Sequence, residues 1–145
     1  MMKSLSILIP VFNEEESLLA LFGELKNHFE NNSAIEVIFI NDGSSDQSQY
    51  LIEKEITHHS SWKLINLYRN YGKSVALQSG IDISTGELIA TLDADLQDDP
   101  KEIINLVDEL KNFDIIVGWK KNRLDPIEKR LLQKYLIFLL EFLVV

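Results

Sequence analysis

The chain contains no cysteine, which excludes disulfides and thiolate metal sites and leaves the redox compartment open. Its amino end does not read as a secretion signal either: in MMKSLSILIPVFNEEE the apolar stretch is short, stops at Pro10 and runs straight into acidic residues. Its three histidines, His28, His58 and His59, fall on expected helix faces or ends and read as solvated positions. No internal repeat, low-complexity tract or linker interrupts it. Positive charge is scarce up to Gly118, with eight Lys and Arg against twenty Asp and Glu. A body this acidic disfavours nonspecific nucleic-acid binding, and no nucleic-acid partner is expected. From Trp119 onward the balance reverses to six against three.

What is present is the composition of one ordinary soluble domain: 145 residues, 46% hydrophobic and 26% charged. Short apolar runs alternate with amphipathic stretches. Strands are expected over residues 5–10, 36–40, 63–67, 87–92 and 114–117. Helices are expected from Asn13, with Leu18, Leu19, Leu21, Phe22, Leu25 and Phe29 at helical spacing, and over 46–56 and 74–83. A further helix follows Pro100, and a last one runs from Pro126. Asn13 with Glu16 three residues later forms a capping-box pattern, and Ser45 or Asp46 is the expected cap of the second helix. Continuous Ile/Val/Leu strands, each followed by a helix, imply an α/β fold: a Rossmann-like, mostly parallel sheet covered on both faces.

In such sheets ligands bind beyond the carboxyl ends of the strands. Four polar clusters lie there: Asn13-Glu14, Asn41-Asp42-Gly43-Ser44, Arg69-Asn70-Tyr71-Gly72-Lys73 and Asp93-Ala94-Asp95. The stretch TLDADLQDDP at 91–100 is the most unusual, because four acidic side chains so close together repel one another. A positive partner is expected. If the segment is extended, Asp93 and Asp95 face the same way and can share one hard cation, Mg²⁺ or Mn²⁺, with Gln97 continuing the alternation. A solvated acidic turn is the plain alternative. It suits Asp98 and Asp99, which favour the dipole of the following helix. A calcium EF-hand loop is excluded, since Asp98 stands where glycine is needed and Ile104 where glutamate is. Asp42 could accept hydrogen bonds from a base or ribose. Lys73 reads either as a solvated lysine or as a ligand-facing cation, and its place at a helix start, against the dipole, speaks for the second. Trp62 and Trp119 read as packing residues.

Five motifs carry a resemblance: IPVFNEEE at 9–16, NDGSSD at 41–46, RNYGK at 69–73, DADLQDDP at 93–100 and GWKKNRLDP at 118–126. In this order they resemble the family 2 glycosyltransferases, most of all the polyprenyl-phosphate sugar transferases. The resemblance implies a GT-A fold, a nucleoside-diphosphate sugar of UDP or GDP type, a divalent metal and inversion of the anomeric centre. It implies that Pro10, Phe12, Glu14 and Asp42 line the nucleoside pocket. Asp93, Asp95 and Gln97 would hold the metal on the diphosphate, with Ala94 contacting the nucleotide through its backbone. Lys120 and Arg123 would face phosphate, Lys120 standing where many relatives have arginine. Residues 1–125 would form the nucleotide-sugar-binding domain.

Residues 126–145 read as a basic, then apolar helix, suited either to a membrane surface or to core packing. Its apolar run, broken by Glu141, falls short of the ~20 residues that span a bilayer. A place at the inner face of a membrane, a polyprenyl-phosphate acceptor and self-association through the tail are the matching expectations. Relatives in this family continue past this point into an acceptor-binding half. A module that binds the nucleotide sugar without turnover is therefore the alternative reading.

Overall fold

The computed structural model describes residues 4–30, 32–110 and 114–117. The chain divides into two compact units, Met1–Asn112 and Phe113–Val145. The first contains every strand and helix among the described residues.

Four strands, β1 (Leu5–Val11), β2 (Ile35–Asn41), β3 (Trp62–Asn66) and β4 (Leu88–Thr91), form a parallel sheet in the order β3-β2-β1-β4. Helix α1 (Glu15–Phe29) joins β1 to β2, α2 (Ser48–Ile56) joins β2 to β3, and α3 (Lys73–Ile83) joins β3 to β4; α4 (Lys101–Glu109) follows. The chain winds outward through β1, β2 and β3, then jumps back across both to place β4 beside β1. Right-handed crossovers require the helix of that return step to lie on the opposite face. Side-chain packing agrees. Ile7, Ile9, Val37 and Phe39 pack with Leu18, Leu21, Phe22 and Leu25 of α1, Ile52 of α2 and Ile103 of α4. Leu8, Ile38 and Ile40 pack on the other face with Ala76 of α3. This alternation along β1 and β2 is the two-residue period of a strand buried on both sides.

At the centre of the larger core, Phe22 meets Phe39 edge-on with centroids 5.6 Å apart, and Trp62 lies 5.6 Å from Phe39. Such aromatic pairs contribute about 0.5–1.5 kcal/mol beyond their buried area. Trp62 is a packing residue, as expected. His59 departs from its expected solvated place: its side chain is buried and stacks on Trp62 at 4.0 Å, with Nε2 3.3 Å from Glu55. Leu19, counted in the helical stripe, faces solvent at 65% exposure.

A second polar cluster ties the amino ends of the strands. Glu36 Oε2 pairs with Lys63 Nζ at 2.6 Å, while Oε1 accepts from Ser6 Oγ and from the backbone N–H and hydroxyl of Thr85. Burial alone would raise the Glu36 pKa. The bonds from Lys63, Ser6 and Thr85 outweigh it and lower the value from 4.5 to about 2.

The expected fifth strand is a difference. Residues 114–117 carry no strand ladder, although their Ile-Ile-Val composition favours one. Strand propensity takes effect only where a neighbouring edge supplies hydrogen bonds. The last expected helix, Trp119, Lys120, Arg123 and the boundary at 125 lie outside the described residues.

Candidate active site

The switch in strand order puts the loops after β1 and β4 on either side of one crevice, with the loops after β2 and β3 beside them. A cleft of about 310 Å³ opens there, lined by Pro10, Val11, Phe12, Glu14, Asp42, Asn70, Gly72, Lys73, Asp93, Ala94 and Asp95. The four clusters marked in the sequence therefore do converge. Pro10, Phe12, Glu14, Asp42, Lys73, Asp93, Ala94 and Asp95 all line the cleft.

The loops are fastened to one another as well as to their own helices. Asn13 adopts φ +56°, outside the extended range an N-cap uses, so the expected local capping box does not form. Its Oδ1 instead accepts the Ser45 N–H at 2.8 Å. The free amides at the start of α1 are satisfied from the β2–α2 loop: Glu14 N–H by Ser48 Oγ at 2.9 Å and Glu15 N–H by Asp46 Oδ2 at 3.1 Å. Glu15 returns the contact, accepting the Gln47 N–H at 2.8 Å. Asp46 also accepts the Ser48 N–H at 2.9 Å, so it serves the starts of both α1 and α2. Each helix start thus caps the other, and the β1 and β2 loops become one rigid wall.

Asp42, read as an acceptor for a base or ribose, also has partners within the chain. It is 4% exposed, and its two oxygens accept the N–H groups of Tyr71 at 2.8 Å and Gly72 at 2.9 Å. Its first task is to hold the β3–α3 loop in place. That loop bends at Gly72 with φ +94°, a conformation glycine alone adopts without strain. The bend delivers Lys73, the first residue of α3, across the cleft to Asp93, with Nζ 2.5 Å from Oδ1. This is the positive partner that the acidic stretch calls for.

On the facing side, β4 ends at Thr91 and residues 94–95 form a turn, with Leu96 at φ +59°. The expected extended alternation therefore breaks at Ala94-Asp95 and does not reach Gln97, although Asp93 and Asp95 both line the cleft. Gln97 is not among the residues lining the cleft; its N–H donates to Asp95 Oδ1 at 3.1 Å. Asp99 Oδ1 accepts the Lys101 N–H at 2.9 Å, in keeping with the helix-start role read for it. Glu14 titrates above its ordinary 4.5. Burial is the main cause, opposed by the Ser17 hydroxyl and reinforced by Asp95, Asp46 and Asp93. The cleft is therefore strongly negative even with Lys73 in place.

Among the described residues, no three acidic, His or Cys side chains form a ready-made metal cage. Two hard carboxylates beside an open cleft suit Mg²⁺ or Mn²⁺ shared with a substrate's phosphates. Sequence reasoning passed over Val11, which offers only backbone to a ligand. Asn70 was visible as the amide of the RNYGK motif but not singled out.

Residues 6–141 match the family model for Glycosyl transferase family 2. The chain is 39% identical over 125 residues to the dodecaprenyl-phosphate galacturonate synthase of Rhizobium johnstonii, covering 83% of this chain and 37% of that protein. It is 39% identical over 142 residues to the undecaprenyl-phosphate 4-deoxy-4-formamido-L-arabinose transferase of Salmonella choleraesuis, covering 96% and 43%. The chain thus spans about two fifths of the length of these curated relatives. Among solved structures, it matches a mannosyltransferase from Pyrobaculum calidifontis in complex with GDP-Man and Mn²⁺ (TM-score 0.71, 19% identity, 79% of this chain, 34% of that one). It also matches the S. aureus TarS fragment 1–349 in complex with UDP-GlcNAc (TM-score 0.66, 18% identity, 85% and 37%). These likenesses bear out the GT-A type of fold. By its motifs and this match across most of its length, the chain belongs to glycosyl transferase family 2.

Proposed function

We propose that this chain forms the donor-binding part of an inverting glycosyltransferase that moves a sugar from a nucleoside-diphosphate sugar to a polyprenyl phosphate. The observation that carries the reading is the single cleft in which Asp93, Ala94 and Asp95 meet Phe12, Glu14, Asp42, Asn70 and Lys73. The curated relatives, named as polyprenyl-phosphate sugar transferases, support the acceptor class. The neighbours holding GDP-Man and UDP-GlcNAc support the donor class.

The wall made by Phe12, Glu14 and the Asp42-anchored loop would receive the nucleoside. Asp93 and Asp95 would hold Mg²⁺ or Mn²⁺, which when bound offsets the charge growing on the departing diphosphate. Lys73 stands close enough to Asp93 to add a second positive charge at that point. A lipid phosphate is already largely ionised near neutral pH, as a second phosphate pKa near 6 implies. It needs no strong base, and none is required of this cleft. Lys120 and Arg123 are proposed to face phosphate, and residues 126–145 to lie at the inner surface of a membrane and favour self-association. No helix among the described residues is long and apolar enough to cross a membrane.

The test is calorimetric titration of UDP and GDP, with and without Mn²⁺, on the wild-type chain and on Asp95→Ala. Metal-dependent binding of one nucleotide, abolished in the variant, is the expected result. Absence of binding in every condition would overturn the site. Binding without sugar transfer to a polyprenyl phosphate would leave a nucleotide-sugar-binding module.

A further inference from the structure

The Lys73–Asp93 pair does more than neutralise charge, because of where its two members stand. Asp93 is one of the two carboxylates read as the divalent-ion site, and its Oδ1 is taken by the Lys73 ammonium. Lys73 gains nothing from its own helix, since the amino end of α3 repels a cation. Its position depends on Asp93 and on the bend at Gly72 that Asp42 fixes. Both side chains remain accessible, 52% for Lys73 and 40% for Asp93. An ion pair this exposed is worth no more than a factor of about five in an equilibrium constant. It is strong enough to occupy the site and weak enough to be exchanged. A diphosphate, carrying more charge than one carboxylate, is the better partner for the ammonium.

We propose that Lys73 is an exchangeable counter-cation: it occupies Asp93 while the cleft is empty and moves to the diphosphate of the entering donor, releasing Asp93 to the divalent ion. The proposal rests on the reading of Asp93 and Asp95 as the cation site. Its consequence is an order of binding. The ion alone must compete with Lys73 and is held weakly. The ion together with a nucleoside diphosphate meets no such competition, because the diphosphate draws the lysine away. The two therefore bind cooperatively, and Lys73 sets part of that cooperativity.

Binding of Mn²⁺ is followed by the electron paramagnetic resonance of the free ion, first without nucleotide and then with UDP or GDP, whichever the wild type takes. Lys73→Met is expected to bind Mn²⁺ alone about three- to fivefold more tightly than wild type. The same variant should bind the nucleotide with Mn²⁺ about threefold or more weakly. Lys73→Arg keeps the charge and should stay near wild type for the ion alone. Arg69→Gln removes a neighbouring cation that stacks on Tyr71 at 5.0 Å, and should leave the affinity for the ion within twofold. Circular dichroism and melting confirm that each variant is folded. If Lys73→Met leaves Mn²⁺ affinity unchanged or weaker while Asp95→Ala still abolishes nucleotide binding, the exchange is wrong and the site stands. An equal gain in Arg69→Gln also overturns the exchange, since a diffuse field would then account for it. If wild type binds no Mn²⁺ even with nucleotide, the site reading falls and the exchange with it.

Discussion

The carboxylate of Asp42, at the carboxyl end of β2, accepts the backbone N–H groups of both Tyr71 and Gly72, 29 and 30 positions away in the chain. One buried side chain thereby joins the second and third loops of the cleft and sets the direction in which α3 begins. The position of Lys73 opposite Asp93 follows from that bond pair rather than from any local preference of the RNYGK motif.

Asp42→Asn replaces one accepting oxygen with an NH₂ group, which cannot receive the amide it faces. The expected loss is about 1–3 kcal/mol of stability, the cost of a buried donor left unpaired. A urea titration should show a lower midpoint with an unchanged slope. Calorimetry should show weaker nucleotide binding, because the loop carrying Gly72 and Lys73 is no longer held. A variant as stable as wild type would mean that the loop is positioned by other contacts.

Gly43, with φ +68°, lies so close to the third loop that an added Cβ would sit 2.4 Å from the Arg69 carbonyl carbon. Gly43→Ala is expected to destabilise by more than about 2 kcal/mol, combining left-handed strain with a backbone collision. Gly23 in α1 has no atom within 4 Å of such a Cβ. Gly23→Ala should therefore stabilise by about 0.5–1 kcal/mol through helix propensity. Thermal melts of the two variants, moving in opposite directions, check the pair.

Glu36 gives the fold an acid sensitivity of known sign. Its folded pKa, about 2, lies below the ordinary 4.5, so the unfolded chain binds the proton more readily. The stabilisation is complete above about pH 5 and is lost as pH falls from 4.5 towards 2. At 1.36 kcal/mol per unit it is on the order of 3 kcal/mol. Glu36→Gln should be less stable at pH 7 and should lose less on acidification through this window. Parallel pH dependences for the two proteins would show that Glu36 does not carry the effect.

Glu14 has the opposite sign. Burial and then the neighbouring Asp95, Asp46 and Asp93 raise its pKa above 4.5 against the pull of Ser17, so its ionised form opposes folding near neutral pH. Glu14→Gln should melt at or above the wild-type temperature at pH 7, and the gain should shrink as acid protonates the wild-type side chain. If Glu14 touches the nucleoside as proposed, the same variant binds nucleotide more weakly. A stability gain with undiminished binding would remove it from the ligand wall.

The sequence by itself determined the layered parallel sheet and the edge at which its loops gather. Apolar runs such as ILI at 7–9 and VIFI at 37–40 can be buried only on both faces, and each is followed by a helical pattern. It also marked Glu14, Asp42, Lys73, Asp93 and Asp95, because polar residues after an apolar strand have few structural uses there, while Pro10, Phe12 and Ala94 were marked by the resemblance to the family alone. Only the tertiary structure decided how those residues divide their work. The caps of α1 come from Ser48 and Asp46, more than thirty residues away, in place of the local box at Asn13. Asp42 is a buried anchor, and Lys73 answers the charge of Asp93. A sequence pattern reports periodicity and local spacing, whereas bonds between loops depend on distances that exist only once β1, β2 and β3 are paired and, for Lys73 and Asp93, once β4 has crossed back beside β1.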